Sequence, residues 1–217
     1  MTRSNFARCI AVAVGLSSAL WGTSFHSTQA AKLEQTQTET AGDPRRDMVT
    51  ILQSMGPASS LGDQAKVFGR FVGTWDADFS FHSKDGSVSH SSGEVVFGWV
   101  MDGHALQDLW IGYPKSPGGQ RKMGTTVRFF DPKSGKWKVV FVDPYHNAVI
   151  SVEGGEEGDR IVLRGKDTDG SAIRWSFLDI KDDSFTWHGE TSPDGGKTWR
   201  LEEEHHFKRR ATTSAKS

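Results

Sequence analysis

From Phe71 onward the chain alternates apolar and polar residues with a period of two, and each run ends at a turn signal. Trp75, Ala77, Phe79 and Phe81 share one side of the first run; Thr74, Asp76, Asp78, Ser80 and His82 share the other. Successive side chains on a strand point to opposite faces, so this is a half-buried strand. The stripe recurs at Val95, Phe97, Trp99 and Met101, at Trp137, Val139 and Phe141, at Ile173, Trp175 and Phe177, and at Phe185 and Trp187. The breaks between runs are Lys84-Asp85-Gly86, Asp102-Gly103, Pro114 to Gly119, Asp131 to Gly135, Asp143-Pro144, Gly154-Gly155, Asp167 to Gly170, Lys181 to Asp183 and Asp194 to Gly196. Asp caps its own turn and Gly accepts positive φ, which is why these residues gather there. No helical pattern long enough for a crossover lies between the runs, so an antiparallel meander of about ten strands follows. Left open it would expose two edges; closure removes them. The expected fold is therefore all-β: an about ten-stranded antiparallel up-and-down barrel with a short N-terminal helical segment. A barrel wider than eight strands has room for a cavity.

The first part of the chain has a different character. Arg3 and Arg8 precede an apolar run from Cys9 to Trp21, and Thr28-Gln29-Ala30 places small residues at positions −3 and −1 of a cut after Ala30. That is the pattern of a secretory signal peptide over residues 1–30, with a run shorter than the roughly 20 residues that span a bilayer. The expected address is periplasmic or secreted, without stable membrane insertion after cleavage. Cys9, the single cysteine, would be lost with the signal, removing thiol and disulfide chemistry. Residues 31–65 read as a flexible leader carrying a short amphipathic helix, with Met48, Ile51, Leu52 and Met55 in helical spacing before Gly56-Pro57. The barrel domain is placed at 66–210 and a disordered tail at 211–217. A net charge of −1 gives no electrostatic reason for nucleic-acid binding.

Phe71-Val72-Gly73-Thr74-Trp75 opens the first strand, and a Gly-x-Trp there resembles the calycin group, which includes lipocalins, fatty-acid-binding proteins and nitrobindins. The set FVGTW at 71–75, FFDPKSGKW at 129–137, the turn at 169–171 and DSFTWHGETSPDGGKTW at 183–199 resembles the bacterial family DUF1579, whose function is unknown. The resemblance covers residues 66 to 210. It implies a ten-stranded calycin-like barrel and no reaction. Nitrobindin-like barrels hold haem through a barrel histidine; His205 is the position to compare, but no motif here matches that site closely, and no cofactor is implied.

The last strand carries the most chemistry. Trp199, Leu201, Glu203, His205 and Phe207 fall on the face that their apolar members mark as inward. Arg200, Glu202, Glu204, His206 and Lys208 form a solvated face. A carboxylate and an imidazole on an inward face are costly unless hydrogen-bonded or facing a ligand. Trp110, Trp137, Trp175 and Trp187 are candidate aromatic walls of the same cavity, with plain core packing the competing reading. The candidate ligand-binding set is thus Trp110, Trp137, Trp175, Trp187, Glu203 and His205. His205 and His206 point to opposite faces, and no H-x-H or H-E-x-x-H spacing exists, so no metal site is expected. Arg128 and Arg174 are expected outward, opposite Phe129 and Trp175, with cross-strand carboxylate partners; an inward Arg128 holding a carboxylate ligand is the lesser alternative.

SPDGGKTW at 192–199 fits the Asp-box of sialidase propellers, yet it occurs once in full, with a shortened echo at 131–137. A propeller needs a box in most of its blades, so the stretch reads as a hairpin that fixes the register of the strand after it. No nucleophile motif or phosphate loop is present, and no catalytic residue is assigned. The leading functional expectation is an exported barrel that binds a small apolar or amphipathic ligand. The alternatives are an isomerase or hydrolase using Glu203 and His205, and an interaction module with a filled barrel. The sequence leaves oligomeric state open.

Overall fold

The computed structural model describes residues 44–211. The expected signal peptide (1–30), residues 31–43 of the expected leader and the tail beyond Ala211 lie outside the described residues. The chain begins with helix α1 (Pro44–Leu52), the two-residue strand β1 (Gln53–Ser54), a 3-10 turn (Ser59–Gln64) and helix α2 (Ala65–Gly69). Ten strands follow: β2 (Gly73–His82), β3 (Val88–Val100), β4 (Ala105–Gly112), β5 (Lys122–Asp131), β6 (Lys136–Asp143), β7 (Ala148–Glu157), β8 (Arg160–Lys166), β9 (Ala172–Leu178), β10 (Ser184–Ser192) and β11 (Arg200–Arg209). They pair antiparallel in the order β3-β2-β11-β10-β9-β8-β7-β6-β5-β4, and β4 returns to β3, which closes the barrel. Strand order follows chain order except where β11 inserts beside β2, as an up-and-down barrel requires.

The N-terminal segment corrects one expectation. The spacing of Met48, Ile51, Leu52 and Met55 predicts a helix running to Gly56, but α1 stops at Leu52. Strand β3 outruns β2, and its free edge at Trp99 and Val100 draws Ser54 and Gln53 into pairing. The Leu52 carbonyl accepts from the Met101 amide at 2.9 Å. Backbone bonding to an open edge outweighs one more helical turn. Met101, counted in the inward stripe, instead sits in the β3–β4 turn at φ 54 and is exposed. Gly103 closes that turn at φ 79, where a Cβ would meet Gly56 O and Ala58 N at 2.4 Å.

Helix α2 seals one end of the barrel. Phe68 and Phe71 are fully buried. Phe68 meets Trp137 edge-on at 5.0 Å and Phe177 at 5.7 Å; Phe71 meets Phe185 at 4.7 Å. Trp75 donates its indole N–H to the Phe71 carbonyl at 2.7 Å. Arg209 lies over Trp75 at 4.1 Å and donates to the carbonyls of Asp182, Val72 and Arg70 at 2.7, 2.7 and 2.6 Å. One guanidinium therefore ties the last strand, the first barrel strand and the end of α2 together. At the inward glycines of the wall, rings take the missing side chain's place: Phe79 over Gly93, Phe141 over Gly124 and Trp187 over Gly189.

Candidate functional site

Inside the barrel two charged or polar pairs sit at different levels. The deeper is Asp108 with Arg128. Asp108 on β4 is fully buried, and Arg128 on β5 is 2% exposed. They form an ion pair, and Asp108 also accepts from the Thr126 amide at 3.1 Å. The guanidinium lies 5.0 Å from the Phe68 ring and 5.3 Å from Phe97, both of which close the α2 end. Burial pushes the Asp108 carboxyl up, and Arg128 and Thr126 pull it back. This overturns the expected outward Arg128. Phe129, chosen as its inward neighbour, is 47% exposed. The strand offers apolar residues on both faces, and the ion pair with Asp108 on the neighbouring strand decides which face turns in. The carboxylate that Arg128 holds belongs to the chain itself. Arg174 does face outward, bonded to Glu190 at 2.7 Å through both Nε and Nη2.

The shallower pair is Glu203 with His205, at the end away from α2. His205 on β11 is 2% exposed, while the Glu203 side chain keeps 41% of its surface. Glu203 Oε2 accepts from His205 Nε2 at 3.0 Å. His205 stacks on Trp187 at 5.1 Å and 13°, and meets Phe79, Phe81 and Trp110 edge-on at 4.9, 5.4 and 5.8 Å. Trp187 is 5.7 Å from Trp110 and 5.8 Å from Trp175. Trp110, Trp175, Trp187, Glu203 and His205 thus form one cluster. Trp137 is apart from it, packed on Phe68 and Phe130 at the sealed end. Phe79 and Phe81 join the cluster without having been singled out in the sequence; both lie on the first stripe, and the Phe79↔His205 and Phe81↔Glu203 register places them there.

Two atoms of this cluster are enclosed with no hydrogen-bond partner among the described residues: His205 Nδ1 and Trp110 Nε1. Unpartnered buried polar atoms are uncommon, because each forfeits its bond to water. Two depressions on the surface lie elsewhere. One covers the outer faces of β2, β3 and β11 around Asp76, Asp78 and Tyr113. The other runs beside α2 past Gln64, Lys136 and Trp137. Neither is lined by Trp110, Trp175, Trp187, Glu203 or His205.

The hairpin before β11 has the internal bonding its sequence predicts. Asp194 Oδ1 accepts from the Lys197 and Thr198 amides at 3.0 and 2.9 Å, and Oδ2 from the Thr198 hydroxyl at 2.7 Å. Ser192 Oγ accepts from the Gly196 amide at 2.7 Å and donates to Asp194 at 2.8 Å. Gly195 and Gly196 take φ of 73 and 96. Bonds from Thr198 and Ser192 hold the Asp194 carboxyl down to about 2.

Trp199 departs from expectation. Gly189 pairs with Glu203 and Glu190 with Leu201, so Glu202 is an extra residue without a partner on β10, a β-bulge. The alternation resets there, and the Trp199 ring lies under the outward Arg174 at 4.4 Å. Below the bulge, Glu203, His205 and Phe207 turn inward as expected. On the solvated face Glu204 bonds His188 at 3.0 Å and His206 at 3.3 Å. Among the described residues no group of three or more His, Cys, Asp or Glu is placed to hold a metal ion. Among them also, no helix is long and apolar enough to cross a membrane.

No family model matches the chain, and no curated protein matches it. Solved structures do. Rv2717c from M. tuberculosis aligns with a TM-score of 0.52 at 15% identity, over 71% of this chain and 99% of that one. The S-type phycobiliprotein lyase CPES from Guillardia theta aligns at 0.49 with 14% identity, over 68% and 92%. A de novo designed fluorescence-activating β-barrel aligns at 0.31 with 19% identity, over 65% and 95%. At such identities likeness speaks to fold alone, and the first of these, together with the closed ten-stranded meander, fits a calycin-like barrel.

Proposed function

We propose that this chain is an exported calycin-like barrel, of the bacterial kind grouped as DUF1579, that takes up a small apolar or amphipathic ligand at the end away from α2. The observation that carries the reading is the enclosed, unpartnered His205 Nδ1 beside the unpartnered Trp110 Nε1, in a cluster of Trp and Phe rings. Aromatic walls with a few fixed polar atoms are what small-molecule sites consist of. Glu203 and Phe81 stand at the rim, where Phe81 is 39% exposed. The rings are 5–6 Å apart, so a ligand gains access by displacing one of them, with Phe81 the most accessible. Trp137 belongs to the sealed end and has no part in this site.

Native mass spectrometry of the protein purified from its own export compartment is the direct test. A bound small molecule lost on His205→Ala supports the reading; a ligand-free protein whose Trp fluorescence ignores apolar probes sinks it. The mature N-terminus should be Ala31; a chain that keeps residues 1–30 refutes the export part. The Glu203–His205 bond supports a second reading, in which the carboxylate orients the imidazole as a general base in an isomerase or hydrolase. Turnover that falls in Glu203→Gln while ligand affinity stays constant would select it.

A further inference from the structure

The two unpartnered atoms have complementary chemistry. Glu203 is a carboxylate at the rim and accepts from His205 Nε2. A neutral imidazole whose Nε2 carries the proton presents Nδ1 as a lone pair. The indole N–H of Trp110 is a donor only. An enclosed acceptor and an enclosed donor therefore face the same cluster, on rings whose centroids are 5.8 Å apart and tilted by 61°. A group that both accepts and donates is needed, and a hydroxyl does so through a single atom, accepting from Trp110 and donating to His205. A carboxylate offers no proton to Nδ1 and would bring a second negative charge toward Glu203. An ammonium offers no lone pair to Trp110. An ether or ketone serves Trp110 alone.

The surroundings fix the remainder of the ligand. Trp187 stacks on His205, Trp175 packs behind Trp187, and Phe79 and Phe207 lie at 6.0 and 5.5 Å from Trp110. Such walls favour flat or compact apolar bodies, which offset-stack or meet rings edge-on. On the reading that this cluster is a ligand site, we infer that its ligand is a neutral, hydroxyl-bearing apolar molecule, a phenol or ring alcohol, with the hydroxyl bridging Trp110 Nε1 and His205 Nδ1.

Three probes of one shape test this: naphthalene, 1-naphthol and 1-naphthoate, titrated at neutral pH against Trp fluorescence and by calorimetry. 1-Naphthol should bind about tenfold more tightly than naphthalene, as expected for hydrogen bonds to otherwise orphaned atoms. 1-Naphthoate should bind no better than naphthalene. His205→Phe and Trp110→Phe should each remove most of the naphthol advantage while naphthalene binding persists, a pattern that misfolding cannot mimic. Equal affinity for naphthol and naphthalene would overturn the inference and assign the space between the rings to an ordered water. Tighter naphthoate binding would overturn it in favour of an acid ligand. In both cases naphthalene binding leaves the ligand-binding function standing. If none of the three binds, both fall.

Discussion

The barrel contains two acid–base pairs, and the environment separates their roles. Asp108 and Arg128 are both fully enclosed beneath α2, with Phe68 and Phe97 against the guanidinium. Glu203 and His205 are split, the imidazole enclosed and the carboxylate 41% exposed. A charge removed from water on every side must keep its partner, whereas one that touches water can lose it cheaply. The sealed pair must therefore be kept or removed as a unit, whereas the exposed carboxylate of the rim pair can change its partner at little cost.

The largest effect should come from splitting the sealed pair. Arg128→Met leaves Asp108 buried and unpaired, and should cost about 3–5 kcal/mol in chemical denaturation. Adding Asp108→Leu should recover most of that loss. A single variant as stable as the parent would erase the contrast. Next comes Arg209, whose guanidinium spans Asp182, Val72 and Arg70 and covers Trp75. Arg209→Ala should cost about 2 kcal/mol by loss of charge-assisted bonds and the contact over the indole. Thermal melting that leaves Tm unchanged would show the clamp to be decorative.

The rim pair should behave in the opposite way. His205→Phe keeps the ring, removes an orphaned Nδ1, and should change stability by less than about 1 kcal/mol in either direction. A loss above about 2 kcal/mol would place His205 with the sealed pair as a folding residue. The smallest effect lies at the turn. The Asp194 carboxyl is held down to about 2 from 3.8. A depressed value means that its contribution is fully present above the ordinary value and disappears as pH falls from 3.8 toward about 2. The Tm difference between the parent and Asp194→Ala should accordingly shrink across that interval. A difference that stays constant to about pH 2 would show that the turn's bonds do not depend on charge.

Much of this architecture is legible in the chain. Period-two stripes and Asp/Gly turns specify ten antiparallel strands, because each strand's inward face must be apolar and each reversal needs tolerant φ. Glu203 and His205 are legible for the same reason, since Phe207 continues their stripe. Arg128 is not. Its strand places Val127 and Phe129 on one face and Thr126, Arg128 and Phe130 on the other, and apolarity does not choose between them. The choice is made by Asp108, on the neighbouring strand and twenty residues earlier. The separation of Trp137 from the other tryptophans is equally hidden, because a stripe gives the face of a residue and not its height along the barrel. Height is set by register between strands, as in Phe79↔His205 and Phe130↔Trp137.

The bulge at Glu202 gives the last hairpin a change of phase. Above it, the turn closed by Ser192 and Asp194 and the Trp199–Arg174 contact form one unit; below it, β11 takes its alignment from β2 and the first half of β10. The two units meet at a residue that owes nothing to either ladder. The turn can consequently drift in sequence, or even in length, without rotating His205 out of the barrel. A motif familiar from a different architecture can in this way sit a few residues from the polar centre and exert no hold over it.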